Sequence, residues 1–266
     1  MPTVILNDIE LYFEMQGQGE PLMLIAGLGS DSQSWLPILP ELARHFLVIA
    51  PDNRGCGRTK PMNAKLSIPQ IADDCKQLAD HLGIASFNVL GHSMGGMISL
   101  YLAIRYPKVV DKLVLAGTAA KISKRNEFLL SNLAESLSAG IDLNIWFKNL
   151  FLWLFTDVFF ENEQQLKEAV LYALDYPFPQ TTTAFKNQVE ATIDFDCSNK
   201  LKSISANTMV INGREDLLFS PEISRRSLHK IPNTKFVVID DAAHSIHMEQ
   251  PKVFTEIVLN FLQKKY

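Results

Sequence analysis

The chain has 266 residues, enough for one large α/β domain or for a domain with an insertion. Its composition, 47% hydrophobic and 20% charged, is that of an ordinary globular protein. The net charge of −4, without a Lys/Arg cluster with interleaved aromatic residues, gives no electrostatic case for binding nucleic acid or an anionic membrane surface.

The number and spacing of the cysteines indicate whether the protein is expected in a reducing or an oxidising compartment. Cys56, Cys75 and Cys197 are odd in number, widely spaced and without a C-x-x-C pair. This pattern argues against a disulfide framework and against a zinc site, and it favours a reducing compartment. We therefore expect a cytoplasmic protein.

Neither a signal peptide nor a membrane span is predicted. The N-terminal run MPTVILNDIELYFEMQG has early acids and alternating apolar residues, which is typical of a strand pair. The most apolar stretch, NIWFKNLFLWLFTDVFF, is interrupted by Lys148-Asn149 and by Thr156-Asp157. A spanning helix needs ~20 nearly uninterrupted apolar residues.

Short runs of Val, Ile and Leu alternate with helical patterns, which is typical of βα units and a mostly parallel sheet. The clearest helix runs from Ile68 to Leu82, with apolar residues on one face and Gly83 as a stop. Most later apolar runs are uninterrupted, as expected when helices cover both faces of a sheet. The predicted strands are Val4–Leu6, Leu11–Phe13, Leu22–Ala26, Leu47–Ala50, Phe87–Leu90, Leu113–Ala116, Met209–Asn212 and Phe236–Ile239.

This alternation stops near Ala120 and resumes after Leu201. The intervening stretch has helical patterns, many aromatic residues and no clear strand. We therefore predict a core formed by residues 1–119 and 202–266. Residues 120–201, the cap segment, are predicted to be a helical insertion over one end of the sheet.

Aromatic residues are concentrated in one part of the cap segment. An apolar cap would exclude water and strengthen electrostatic interactions beneath it. Two interpretations stay open, because the rings can form the interior of the cap or line a substrate pocket. The residues predicted for the pocket are Trp146, Phe151, Trp153 and Phe155.

Gly91-His92-Ser93-Met94-Gly95 follows a predicted strand directly and precedes a helical run. In such a G-x-S-x-G turn the serine is raised in a strained conformation, and the flanking glycines lack the Cβ atoms that would clash. The hydroxyl then lies at a helix N-terminus, which favours developing negative charge. Ser93 is therefore the predicted nucleophile, and His92 is expected to pack in the turn.

A serine nucleophile needs a base, and the base needs an orienting carboxylate. In an open α/β sheet both lie on loops at the same carboxyl edge as the serine. The loop after the strand 209–212 offers Glu215 and Asp216, and the loop after the last strand offers His244 and His247.

The chain resembles the α/β-hydrolase superfamily, in its serine-nucleophile branch, over about residues 1–120 and 205–266. The motifs that carry the resemblance are AGLGSDSQSW, DNRGCGRT, GHSMGGM, GREDLLFSP and AAHSIHMEQP. The resemblance implies an eight-stranded, mostly parallel sheet flanked by helices, with the order serine, acid, histidine along the chain.

The same resemblance distinguishes between the candidate acids and bases. Asp216 occupies the Asp of the family's G-x-x-D, and His244 stands five residues before Glu249 of the final Glu-x-Pro. His247 is then expected to be structural. Glu215 is expected to be a solvated neighbour, and Asp240 and Asp241 lie too close in sequence to His244 for the usual order.

Acyl transfer also needs two donors aimed at the developing oxyanion. The predicted donors are the backbone N–H groups of Met94, just after the nucleophile, and of Leu28, in the loop after the third strand. Many relatives have His-Gly where this chain has Ala26-Gly27. A backbone donor does not depend on that histidine.

The motif DNRGCGRT is predicted to form a glycine-rich loop in which Asp52 and Arg54 are mainly structural. It lacks the Lys-Ser/Thr of a phosphate-binding P-loop. Cys56 within it is expected to be a turn residue and not a nucleophile.

The favoured function is hydrolysis of a carboxylic ester or lactone of a small, apolar substrate through an acyl-enzyme. The motifs are most similar to those of 3-oxoadipate enol-lactonases and carboxylesterases, and similar motifs occur in carbon–carbon bond hydrolases and cofactor-free haloperoxidases. A small-molecule receptor on the same fold, with slow or incidental turnover, is the alternative from another class. No metal or other cofactor is predicted, and the oligomeric state is not indicated.

Overall fold

The computed structural model describes residues 2–264. Eight strands form one sheet in the order β1-β2-β4-β3-β5-β6-β7-β8, in which β1, β2 and β4 pair antiparallel and all other neighbours pair parallel. The predicted fold class is confirmed, and every predicted strand is present. The strands are β1 (Thr3–Leu6), β2 (Ile9–Gln16), β3 (Pro21–Ile25), β4 (Leu47–Pro51), β5 (Phe87–His92), β6 (Val110–Ala116), β7 (Asn207–Gly213) and β8 (Thr234–Ile239).

One strand is clearly longer than its apolar run predicted. β2 uses its first half, from Ile9 to Tyr12, to pair with β1, and its second half, from Phe13 to Gln16, to pair with β4. Two successive partners therefore extend the strand into residues whose side chains are exposed.

Helices cover both faces of the sheet. Residues adjacent along a strand point to opposite faces. Accordingly Met23 and Ile25 belong to one apolar cluster, while Leu22 and Leu24 belong to the cluster on the other face. Two covered faces explain the uninterrupted apolar runs. The helices outside the cap segment are α1 (Leu39–Leu42), α2 (Ile68–His81), α3 (Met94–Arg105), α9 (Pro221–Leu228), α10 (Ile246–Glu249) and α11 (Pro251–Leu262).

The helix predicted from Ile68 to Leu82 is α2. The Ser67 side chain accepts a hydrogen bond from the Gln70 N–H at its start, and Gly83 follows its last turn with a φ of 71°. A side-chain cap at one end and a left-handed glycine at the other fix both boundaries locally.

The cap segment contains five helices and no strand. Its ends meet at the edge of the core, where the Cys197 N–H donates to the Ala120 carbonyl at 3.1 Å. Apolar clusters inside it, around Trp146 and Phe185 and around Phe151 and Phe159, give it an interior of its own. The helices are α4 (Lys124–Ser138), α5 (Leu143–Phe151), α6 (Asp157–Glu161), α7 (Glu163–Leu174) and α8 (Thr182–Ile193).

Within residues 2–264, no helix combines the length and the apolar character that crossing a bilayer requires.

A buried ion pair ties the glycine-rich loop after β4 to α2. Arg54 is 1% exposed and Asp74 is 2% exposed, and the guanidinium donates to both carboxylate oxygens of Asp74. It also donates to both oxygens of Asp8, at 2.9 and 2.7 Å. The guanidinium therefore has carboxylate partners on two sides, which supports the structural role predicted for Arg54.

We predict that Arg54→Met destabilises the protein by about 3–5 kcal/mol, because it leaves the Asp74 carboxylate buried without its partner. Urea unfolding followed by circular dichroism measures the change. The matched control is Lys121→Met, which removes the exposed ion pair with Asp196 and should cost at most about 1 kcal/mol. Equal losses in the two variants would contradict the prediction.

Candidate active site

Three loops at one edge of the sheet carry the predicted catalytic side chains. Ser93 follows β5, Asp216 follows β7 and His244 follows β8. Because β5, β6, β7 and β8 pair in parallel, their carboxyl ends lie at the same edge. The fold therefore brings residues that are up to 151 positions apart in the sequence into one region.

Ser93 has the strained backbone that its motif predicts, with φ 54° and ψ −118°. A Cβ atom on Gly95 would lie 2.0 Å from the Ile25 carbonyl oxygen, and one on Gly91 would lie 2.2 Å from Ser99 Oγ. Only glycine fits at these two positions. Helix α3 begins at the next residue, and the Thr118 hydroxyl donates to the Ser93 carbonyl at 2.8 Å.

His244 and Asp216 form a buried hydrogen-bonded pair. His244 Nδ1 lies 2.9 Å from Asp216 Oδ2, and each residue is 2% exposed. The other carboxylate oxygen accepts the N–H groups of Leu218 and Phe219, both at 2.8 Å. An ionised carboxylate only accepts, so Nδ1 carries the proton and Nε2 is left as the basic nitrogen.

The other two histidines of the region, His92 and His247, pack next to this pair. His92 Nε2 makes a 2.8 Å hydrogen bond with the His244 carbonyl, and its ring lies 4.7 Å from the His244 ring and 4.8 Å from the His247 ring. His247 packs against Trp35 and Phe254. The structure thus brings Asp216 to His244 and not to His247.

Burial keeps the imidazoles of His92 and His247 uncharged. It lowers the pKa of His247 to about 3, and it holds the pKa of His92 well below its ordinary value. Both imidazoles are therefore neutral at pH 7, which avoids a second positive charge beside the base.

The remaining acids near the pair are exposed. Glu215 and Asp241 point to solvent, and Asp240 forms an ion pair with Arg214. None of the three makes a hydrogen bond with His244 within the part of the chain that the structure describes. Their positions agree with the expectation that Asp216 is the orienting acid.

A narrow cavity of about 30 Å³ borders Ser93, with room for only a few water molecules. No residue of its wall is charged, and the polar members besides Ser93 are Asn126 and Thr192. Four wall residues come from the cap segment. The wall consists of Leu28, Ser93, Met94, Met97, Ile122, Asn126, Leu130, Thr192, Leu218 and Phe219.

The two residues predicted for the oxyanion hole, Leu28 and Met94, are both in this wall. Among the hydrogen bonds of the described residues, none uses the backbone N–H of either one. The next amide along, that of Gly29, is occupied, since it donates to Gln188 Oε1 at 3.0 Å. The cap residue Gln188 therefore fixes this loop without using the Leu28 donor.

The four aromatic residues predicted for the pocket lie elsewhere. Trp146 and Phe151 are buried in the two apolar clusters of the cap segment, and Phe155 packs against the second of these clusters. Trp153 packs on the main core beside Arg125. The rings thus form the interior of the cap and its contact with the core, and aliphatic residues, methionines and Phe219 line the cavity instead.

Several wall residues had no recognisable signal in the sequence. Asn126 lies in the first turn of α4, where asparagine is ordinary, and Thr192 lies near the end of α8. Leu218 and Phe219 lie two and three residues after Asp216, and their N–H groups are held by two hydrogen bonds to that carboxylate.

Hydrogen bonds join the cap segment to the loop that carries His244. Glu249 accepts the N–H of Thr156 with one carboxylate oxygen and the N–H of Ala243 with the other, both at 2.8 Å. The Ser245 N–H donates to the Leu154 carbonyl at 2.9 Å. His244, the predicted base, is therefore flanked on both sides by residues held to the cap segment or to Glu249.

Within residues 2–264, no group of three or more His, Cys, Asp or Glu side chains is placed to hold a metal ion. The three cysteines are buried thiols. Burial raises the pKa of Cys56 well above its ordinary value and that of Cys197 to about 12. These thiols stay protonated at neutral pH and are poor nucleophiles.

The chain belongs to the α/β-hydrolase fold family, whose profile matches residues 20–251. This family was predicted from the motifs, and the match confirms it.

Full-length relatives in sequence carry a more specific name. Two proteins named "Putative carbamate hydrolase RutD" are similar to this chain. The one from Azorhizobium caulinodans is 29% identical over 98% of this chain and 98% of its own length. The one from Agrobacterium fabrum is 28% identical over 95% of this chain and 98% of its own length.

Solved structures of esterases and lactonases are similar over the whole chain. A thermophilic esterase from Thermogutta terrifontis is 27% identical, with a TM-score of 0.86 and coverage of 99% of this chain and 98% of its own. An enol-lactonase from Burkholderia xenovorans is 25% identical, with a TM-score of 0.89 and coverage of 99% and 100%.

We predict that stability falls as the pH drops below about 6.5, where an unfolded histidine begins to take up a proton. His247, with its folded pKa near 3, stays neutral in the native state. Its contribution is therefore fully present above pH 6.5 and is lost as the pH falls towards 3. Each such histidine adds a slope of about 1.4 kcal/mol per pH unit to the free energy of unfolding.

Urea unfolding between pH 7.5 and pH 5 measures this slope. His247→Leu should make it shallower by about the contribution of one proton, whatever its effect on stability at pH 7.5. The exposed His81→Leu is the matched control. An identical slope in wild type and His247→Leu would contradict the prediction.

Proposed function

We propose that the protein is a serine hydrolase that cleaves a neutral carboxylic ester or lactone. The observation that carries this proposal is the buried Asp216–His244 pair at the edge where Ser93 borders the cavity. A polarised base and a strained, half-buried serine beside a cavity are the parts that acyl transfer requires.

In the proposed reaction, Ser93 Oγ attacks the carbonyl carbon while His244 Nε2 accepts the hydroxyl proton. The backbone N–H groups of Leu28 and Met94 stabilise the oxyanion. His244 then donates the proton to the departing alcohol oxygen, which leaves an acyl-enzyme on Ser93. A water molecule, deprotonated by His244, releases the acid, and Asp216 stabilises the imidazolium in both halves.

The substrate class follows from the wall of the cavity. With no charged side chain in the wall, a carboxylate in the substrate would be desolvated without a partner, which is costly. A neutral and largely apolar acyl group is therefore favoured. The similar esterase and enol-lactonase structures support cleavage of an ester bond.

The carbonyl of a carbamate is a second candidate target. The observation in its favour is the similarity, over nearly the full length of both chains, to relatives named as carbamate hydrolases. The same residues would act, with a carbamoyl group on Ser93 in place of an acyl group.

We further propose that the cap segment, residues 120–201, admits the substrate. The cavity is smaller than any ester of interest, so wall residues must move for binding. Ile122, Asn126, Leu130 and Thr192 of the cap segment contribute to the wall, and this segment would therefore set the acyl-chain preference.

We predict that Ser93→Ala abolishes hydrolysis of 4-nitrophenyl esters, with a loss of at least about 10⁴-fold in kcat, because no nucleophile remains. The assay uses acetate, butyrate and hexanoate esters, with the melting temperature recorded for both proteins. Ser99→Ala, one turn along α3, is the matched control. Activity of Ser93→Ala near that of wild type would rule out the covalent mechanism.

The two histidines should rank differently in the same assay. His244→Ala is expected to lower kcat by about 10³-fold or more, since the base is lost. His247→Leu is expected to act far more weakly, because His247 reaches the site only through its packing on His92. The reverse ranking would show that His247 is the base.

A further inference from the structure

Asn126 is a polar residue in an otherwise apolar part of the cavity wall. It lies in the first turn of α4 and is 2% exposed. Its backbone N–H is used by the helix cap, since it donates to Ser123 Oγ at 3.1 Å. The side-chain amide is not needed for capping, so both of its ends are free for other contacts.

The orientation of the amide is fixed by one hydrogen bond. Asn126 Nδ2 donates to the Leu218 carbonyl at 2.7 Å. The flipped amide would place two acceptor oxygens against each other, so the assignment of Oδ1 and Nδ2 follows from the network. Leu218 is held in turn by the Asp216 carboxylate. Asn126 is therefore anchored to the same loop that carries the acid.

The other half of the amide has no partner. Asn126 Oδ1 is buried, and no donor among the described residues reaches it. Buried acceptors are nearly always paired in folded proteins, and an unpaired one lowers stability. An unpaired acceptor on a residue of the Ser93 cavity is the kind of exception that a ligand resolves.

Thr192, the second polar side chain of the wall, also has acceptor lone pairs to offer a ligand. Thr192 Oγ1 donates its proton to the Gln188 carbonyl at 2.8 Å, so only its lone pairs remain for a ligand. Apart from the Ser93 hydroxyl and the second N–H of Asn126 Nδ2, the side chains of the wall therefore offer acceptors, and none of them is a cation.

We propose that Asn126 Oδ1 accepts a hydrogen bond from a neutral N–H or O–H group of the substrate, within a few bonds of the scissile carbonyl. The inference rests on the proposed function and narrows it to uncharged acyl compounds that carry a donor. Asn126 is then a specificity-determining residue. An analogue that lacks the donor leaves a buried acceptor unpaired in the bound state and is discriminated against.

Two pairs of methyl esters test the proposal and separate the two donor sources. Methyl N-acetylglycinate and methyl 4-oxopentanoate differ only in NH against CH₂. Methyl 3-hydroxybutanoate and methyl 3-methylbutanoate differ only in OH against CH₃. The ratio of kcat/KM within each pair, measured by pH-stat, is compared between wild type and Asn126→Leu, which keeps the branched shape without the amide.

For at least one pair we expect the preference of the wild type for the donor ester to fall by about ten- to a hundredfold in Asn126→Leu. The responding pair identifies the donor as N–H or O–H. Thr192→Val should retain the preference, which separates Asn126 from the other acceptor. Because Asn126→Leu can fail to fold, Asn126→Ser is the second variant, and it also shortens the side chain beyond reach.

The experiment separates a failure of this inference from a failure of the proposed function. If wild type hydrolyses both pairs through Ser93 but the ratios are the same in the Asn126 variants, this inference is overturned and the proposed function stands. If wild type hydrolyses 4-nitrophenyl esters through Ser93 but none of the four methyl esters, this inference is overturned and the proposed function stands. If neither series is hydrolysed in a Ser93-dependent way, the proposed function fails and the inference falls with it.

Discussion

The close approach of two chain segments at the turn after β5 constrains the whole site. Gly95 lies so near the Ile25 carbonyl that no other residue fits, and this contact draws the start of α3 onto the end of β3. Ser93, two residues before Gly95, has a positive φ of 54°. The same contact brings the loop with Leu28 beside the serine, so the predicted nucleophile and both predicted oxyanion donors depend on the close packing of these two segments.

Around this turn, several buried charged groups are paired. Asp216 accepts three hydrogen bonds, Asp52 accepts from Arg58 and from the Ser32 N–H, and Arg54 is held by two carboxylates. Satisfied polar networks rigidify a site and hold its side chains in one geometry. Some buried side-chain atoms of the described residues have no partner, and among these Asn126 Oδ1 belongs to a residue of the cavity wall beside Ser93.

Local patterns were sufficient for most of the fold. Each strand was visible as an apolar run, α2 was bounded by its own serine cap and glycine stop, and the turn at Ser93 was identified by its glycines, because all of these depend on nearby residues. The spacing from His244 to Glu249 was known only by resemblance, and the structure supplies a physical reason for it. Glu249 reaches back to the Ala243 N–H and so fixes the turn that presents the histidine.

The pocket was not predictable in the same way. Which face of a cap helix meets the core depends on how α4 and α8 pack against each other and against the loop after β7, and these contacts are distant in sequence. The sequence left open whether the aromatic residues line a pocket or form the interior of the cap segment, and most of them pack in its interior, where large rings bury much apolar area. Asn126 had no signal, since asparagine in a first helical turn is common.

Leu154 and Thr156 of the cap segment are hydrogen-bonded to residues that hold the turn of His244, and this link determines how a movement of the cap segment would affect that histidine. These bonds hold the cap segment and the loop in a common arrangement, so a displacement of this part of the cap segment would also loosen the turn that carries His244. Under the proposed mechanism, a substrate that enters beneath a displaced cap would meet a misplaced base. Proton transfer would then begin only after the cap segment returns, so that entry and chemistry would be sequential.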